Sequence, residues 1–203
     1  SSTDIDFKKI KLKNKGKTNY IFNNFYPSFK LNNLNSSEYQ KFVELSVLRL
    51  VQILSNLKIR NINKIIYTSS ASVYSLTDDL RNSKIDSYNR KIYASFKYSA
   101  EKLIENFCHE NNINFYIMRL FNTYGDENDQ FSFIDKLIDI KKTKQNLTLI
   151  NNGISLRDFI SLSDVAKIYQ KFISNNYPSG IYDIGTGQGN LVKNLIDFVN
   201  IDK

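Results

Sequence analysis

Short apolar runs alternate with helix-length amphipathic stretches along this chain, and that alternation leaves few folds open. YIF (20–22) reads as a strand. After a turn at Pro27, a helix is expected from about Ser36 to Leu57, capped by Ser36 or Ser37, with Phe42, Leu45, Leu50, Ile53, Leu54 and Leu57 at its apolar positions. KIIYTSS (64–70) reads as a strand, 90–111 as a helix with Leu103, Ile104 and Phe107 on one side, and FYIMRLF (115–121) as the next strand. A helix near 131–142 follows, then LTLI (147–150), RDFIS (157–161), a helix from Asp164 to Ser174, and IYDIG (181–185) opening a last helix. Strands that alternate with helices predict parallel βαβ units, hence an α/β fold with a doubly wound, Rossmann-like sheet. Ligands in such sheets sit at the carboxyl ends of the strands. TSSAS, RLFNTYG and NNFYP, all rich in polar groups, fall there.

Composition closes off several functions. One cysteine, Cys108, forms no disulfide within the chain and suits a reducing, cytoplasmic compartment. One histidine, His109, leaves no zinc cluster of the usual kind, so no metal is expected. No run approaches the roughly 20 apolar residues of a membrane helix, and SSTDIDFKKIK lacks the pattern of a signal peptide. The net charge of +8 comes mostly from scattered lysines. The densest basic runs, KKIKLKNKGK and KKTK, have no interleaved aromatics for base stacking, which argues against nucleic acid as a partner.

YASFKYSAEK (93–102) holds two overlapping copies of a tyrosine followed four residues later by a lysine, and YPSFK (26–30) holds a third. Pro27 biases Tyr26 away from helical geometry, so Tyr26 and Lys30 need not share a face. The other two pairs lie on one helix. At about 100° per residue their five-residue offset turns them about 140° apart, so only one can face a site at the end of the sheet. Tyr93 lies nearer the helix start and the tip of TSS, which selects Tyr93 and Lys97. An ammonium beside a phenol favours the phenolate and is expected to pull its pKa down. A serine of TSSAS can hold the reacting oxygen while the tyrosine moves its proton. The natural accompaniment is hydride transfer at the same carbon, which calls for a nicotinamide.

These segments resemble the extended short-chain dehydrogenase/reductases, the family of nucleotide-sugar epimerases and dehydratases. YTSSASVY, YASFKYSAEK, RLFNTYG, SLRDFISLSDVA and GIYDIGTGQG resemble its motifs, in its order. The resemblance implies Ser70, Tyr93 and Lys97 as catalytic residues, with Glu101 in the motif's glutamate position. It implies Asp4, Ile5, Asn24, Ser69, Tyr93 and Lys97 as contacts to NAD, with NADP left open. It implies Ser70, Asn122 and Arg157 as contacts to a nucleotide-diphosphate sugar, and a homodimer paired through helices corresponding to 36–57 and 90–111. The expected layout is a partial NAD-binding domain over 1–125 and a substrate-lobe segment over 126–156. Residues 157–203 would return to the first domain and begin a C-terminal lobe. The pattern also departs from the family's. Phe96 precedes Lys97 in place of a small hydroxyl residue, and Ser75 and Asp126 replace a frequent glycine and proline. Val43 stands where an asparagine is frequent. Dehydrating members carry Asp-Glu after the catalytic hydroxyl; this chain has Ala71-Ser72, which favours epimerisation, reduction or decarboxylation.

A nicotinamide enzyme is expected to open with a strand and G-x-G-x-x-G. No such opening is present, and Asp4-Ile5 resembles the end of the family's third strand. The sequence therefore reads as starting about two βα units into the fold and stopping before the closing lobe, a fragment expected to bind dinucleotide poorly. In that reading YIF becomes an exposed sheet edge. A non-catalytic dinucleotide-sensing or assembly module of the same fold is the alternative. One glycine-rich loop, DIGTGQG (183–189), also suits a methyltransferase, but only 14 residues follow Gly189.

Overall fold

The computed structural model of the chain describes residues 16–23, 36–77, 86–125, 132–143 and 150–199. Two compact units emerge: Ser1–Ile117 with Pro178–Ile181, and Met118–Tyr177 with Tyr182–Lys203.

Among the described residues the larger sheet has four strands, β1 (Thr18–Phe22), β2 (Ile62–Ser70), β3 (Asn114–Leu120) and β6 (Gly180–Ile184), in the order β1-β2-β3-β6. β1 and β2 pair in parallel, Tyr20 opposite Ile65 and Phe22 opposite Tyr67. β2 is buried without a break from Lys64 to Ser69. A strand covered on both faces reads this way, as a near-continuous apolar run. Among the described residues β1 forms one edge of this sheet, and Ile21 on it is exposed.

The helix expected over 36–57 is three pieces in succession: α1 (Ser36–Val43), a π-helical segment Glu44–Leu48, and α2 (Arg49–Asn56). The wide turn is invisible to a 3.6-residue periodicity. α2 sends Leu50 and Leu54 into a core with Phe22, Ile65 and Tyr67 from the sheet. α3 (Asp86–Glu110) closes that core. Its buried positions include Ala94, Lys97, Glu101, Ile104 and Cys108, spaced three and four apart as one helical face requires. Lys97 and Glu101 thus lie on the stripe that faces the sheet.

α3 stops for a local reason. Asn112 takes the left-handed conformation, φ 52°, which asparagine tolerates better than most residues. Its N–H donates to the His109 carbonyl at 3.3 Å, and the Ile113 N–H donates to the Cys108 carbonyl at 2.9 Å. This paired geometry satisfies carbonyls that would otherwise be orphaned at the helix end. Ile113 and Cys108 both join the core, so the cap also feeds the chain into β3.

The second unit contains a small sheet ordered β4-β5-β7, made of β4 (Asn122–Tyr124), β5 (Leu156–Ser161) and β7 (Gly189–Leu191). β5 runs parallel to β4 and antiparallel to β7. RDFIS therefore pairs here and not among the four strands of the larger sheet. The segment after IYDIG also differs from expectation: β7 intervenes before α6 (Val192–Val199). Strands of three residues are too short to show a two-residue alternation. α4 (Phe133–Thr143) and α5 (Leu162–Ser174) complete the unit. α5 is capped by Ser161, whose hydroxyl accepts from the Asp164 N–H at 3.1 Å. Most of LTLI lies outside the described residues, and Ile150 begins a 3-10 turn. No described helix is long and apolar enough to cross a membrane.

Candidate active site

β2 ends in Thr68, Ser69 and Ser70, and α3 passes over that end with Tyr93, Lys97 and Glu101 at successive turns of one face. The structure brings the predicted trio together within the first unit. Tyr93 is hydrogen-bonded to the Ser70 hydroxyl. The Ser72 N–H donates to Ser70 Oγ at 3.2 Å. One acceptor site of Ser70 is thus used by the backbone, and either hydroxyl of the Ser70–Tyr93 pair can be the donor. Lys97 lies beneath, 4 % exposed, and its Nζ donates to the Thr68 carbonyl at 2.8 Å. The same ammonium nitrogen is 5.9 Å from the Tyr93 ring centre and 5.1 Å from that of Tyr67. Ser69 is buried, and its hydroxyl donates to Glu101 Oε1.

Burial sets the electrostatics of the trio more strongly than its mutual charges do. It pushes the Tyr93 phenol up to about 12, against the hydrogen bond from Ser70, which pulls it down. Burial also brings the Lys97 amine down to about 7, opposed by the negative charge of Glu101. The expected fall of the phenol value is thus outweighed by desolvation of the phenolate. Near neutrality the phenol holds its proton, while the lysine beside it is poised between its two states.

The second copy of the tyrosine–lysine spacing points elsewhere. Tyr98 and Lys102 are exposed; Lys102 sits over the Tyr98 ring and pairs with Glu105. The helical-wheel argument for Tyr93 therefore matches the faces observed. Tyr26 and Lys30 lie outside the described residues, as do Asp4, Ile5 and Asn24. His109 is exposed and meets the Phe115 ring edge-on, 5.5 Å between centres. No group of residues able to hold a metal occurs among the described residues.

Tyr67 sets its ring against Lys97, and its hydroxyl is buried with no hydrogen-bond partner among the described residues. An unsatisfied buried hydroxyl is destabilising, so Tyr67→Phe is expected to raise stability by about 1 kcal/mol. Urea unfolding of the two proteins, compared at unchanged m, checks this.

Asn122 and Arg157 belong to the second unit. The Asn122 side-chain amide donates to the Asp158 carbonyl at 2.9 Å, tying β4 to β5, and Arg157 is exposed on β5. The glycine-rich loop is closed by a side chain that sequence reading passed over. Asp158 Oδ1 accepts from the Thr186 N–H at 3.0 Å and from Thr186 Oγ1 at 2.6 Å, while Oδ2 accepts from the Gly187 N–H at 2.8 Å. Gly185 allows this approach: a Cβ there would lie 2.5 Å from Asp158 Oδ2. The loop amides that suggest a phosphate or methyl-donor cradle are given to an internal carboxylate. The signal was present in the sequence as an aspartate opposite a glycine loop, but only strand pairing reveals it. The same unit has a cavity of about 380 Å³ lined by Tyr124, Ile134, Leu137, Phe159, Asn190 and Leu195, among others.

Comparison with known proteins shows which family the chain belongs to. The chain is 29% identical over 148 residues to an ADP-L-glycero-D-manno-heptose-6-epimerase of Brachyspira hyodysenteriae, covering 69% of the chain and 45% of the relative. It is 25% identical over 158 residues to a dTDP-D-glucose 4,6-dehydratase of Dictyostelium discoideum, covering 72% and 36%. The chain thus spans about half the length, or less, of these curated relatives. Its fold matches that of a UDP-glucuronic acid 4-epimerase mutant from Bacillus cereus, solved with NAD and a fluorinated UDP-sugar. The TM-score is 0.73 and the identity 19%, over 89% of this chain and 58% of that one. The model of the NAD dependent epimerase/dehydratase family matches residues 21–185, from the first strand to the glycine-rich loop, and the chain belongs to that family.

Proposed function

We propose that this chain carries the proton-transfer centre of an NAD-dependent nucleotide-sugar epimerase. The observation that carries the reading is the contact of Ser70 with Tyr93 above the buried Lys97. Ser70 and Tyr93 are partly exposed at the end of β2, while Lys97 is closed off below them. The partly exposed Tyr93 hydroxyl fits a contact to the ribose of a nicotinamide cofactor, with Lys97 supplying charge from below; a bound NAD would supply reversible oxidation of the sugar carbon. Ser70, oriented by the Ser72 N–H, holds the reacting sugar oxygen. Tyr93 takes the proton from that oxygen and later returns it. Tyr93 reacts through its phenolate, the minor form near neutrality, and is a neutral phenol between those two steps; Lys97 as an ammonium stabilises the phenolate before the first and after the second.

Epimerisation is favoured over dehydration because Ala71 and Ser72 follow the hydroxyl of β2, and the 3-10 turn Ala71–Thr77 carries no acid. Loss of water from a sugar needs an acid and a base near the leaving hydroxyl. In the second unit, Arg157 is the residue suited to a diphosphate and Asn122 to a phosphate oxygen. The cavity beside Tyr124 and Phe159 offers aromatic surface to a base.

The test uses the full-length protein with NAD and a panel of UDP-, ADP- and dTDP-sugars, the products followed by NMR. Appearance of an epimer with no net change in NAD supports the reading. A 4-keto-6-deoxy product would replace it with dehydration. Absence of any product, despite NAD retained by the protein, would instead identify a non-catalytic sensor of the same fold.

A further inference from the structure

The proposed chemistry leaves one buried acid without a task. Glu101 is 0 % exposed and stands one turn beyond Lys97 on α3. Isolated carboxylates are rarely buried, because the cost of desolvation is repaid only by close partners. Glu101 has such partners among the described residues. Ser69 donates to its Oε1, and Lys97, on the same face, feels its charge directly. Tyr93, Lys97 and Glu101 therefore form an i, i+4, i+8 row, anchored at its far end to the strand that bears Ser70.

We propose, resting on the function above, that Glu101 is a positioning residue: it keeps Lys97 charged beside Tyr93, and through Ser69 it fixes that charge to the end of β2. The other charged and titratable groups nearby do not perform this task. From β2, Tyr67 faces Lys97 with its ring and offers no charge at neutral pH. The 3-10 turn Ala71–Thr77 has Tyr74 and no charged side chain. From the helices packed on α3, Glu44 and Arg49 pair with each other at 3.8 Å, and Lys41 is exposed. On α3 itself, Lys102 and Glu105 pair away from the buried face. Among the described residues, Glu101 is the acid that acts on Lys97.

A purely structural pin between α3 and β2 would need the hydrogen bond and not the charge, and Glu101→Gln separates the two. Glutamine still accepts from Ser69, but it carries no charge. The experiment follows the side-chain signal of Lys97 by NMR in isotope-labelled protein, assigned by its loss in Lys97→Met, across the neutral pH range. In Glu101→Gln the titration midpoint is expected to fall by about one unit or more, as loss of an opposite charge at this range implies; Glu101→Asp is expected to restore most of it. An unchanged midpoint in folded Glu101→Gln overturns the proposal. If Glu101→Gln does not fold, the Lys97→Met/Glu101→Gln double variant decides. Recovery of folding shows that the two charges depend on each other; its absence assigns Glu101 a structural role only. The titration does not depend on turnover. Loss of the proposed epimerase function would leave its result intact, and an unmoved midpoint would leave that function standing.

Discussion

Tyr93→Phe is expected to lower the proposed turnover of the full-length protein by about 10²–10⁴-fold, the usual worth of a positioned acid–base group, and to leave NAD affinity within a few-fold of the parent. The substitution removes one oxygen from a helix face whose packing is otherwise held by Ala94, Lys97 and Ile104, so it does not disturb the fold. What it removes is the atom that meets Ser70 and, in the proposed function, moves the proton. Steady-state kinetics and NAD titration, run on the same preparation, separate chemistry from binding. Tyr98→Phe is the control. It has the same spacing to a lysine but lies on the exposed face, and its turnover is expected to match the parent's. Equal losses in both variants would mean that the spacing, and not the position at the end of β2, had been misread.

The next largest effect is on stability, at Asp158. Partial burial pushes this carboxyl up, but hydrogen bonds from the Thr186 hydroxyl and from the Thr186 and Gly187 amides outweigh it and hold the group below its ordinary value. Asp158→Asn keeps an oxygen for Thr186 but turns an N–H donor toward Gly187. The expected cost is about 2 kcal/mol, the lower part of the range for such bonds because solvent reaches the loop. The sign of its pH dependence follows from the depressed value. The carboxylate's contribution is fully present above about pH 4, where the unfolded group ionises, and is lost as pH falls through the lower folded value. The gap in melting temperature between parent and Asp158→Asn is therefore wide at neutral pH and closes in acid. A gap that stays constant with pH would remove the charge from the account. Gly185→Ala attacks the same lock from the other side, since its methyl group would meet Asp158 Oδ2 at 2.5 Å and Phe121 at 3.2 Å. It is expected to destabilise at every pH, because the clash is steric.

Much of this protein was legible in the order of its residues. KIIYTSS and YASFKYSAEK announce a buried strand and a helix by their periods alone, because burial on two faces and on one stripe leave different patterns. The choice of Tyr93 over Tyr98 follows from helical geometry, which is local. The fold class and the family were also within reach, since they rest on segments in a fixed order.

Tertiary structure decided what depends on partners distant in sequence. Sequence reading pairs the phenol with the ammonium and expects its pKa to fall; enclosure by β2 and α3 raises it, since desolvation is a property of the whole environment. Nothing local to Ser69 shows that its hydroxyl goes to Glu101, 32 positions away. The glycine-rich loop reads as a cradle for a ligand until the pairing of β5 with β4 and β7 brings Asp158 under it. In each case the chain carries the chemical groups, and only folding determines which of their hydrogen bonds and charges remain available to a ligand.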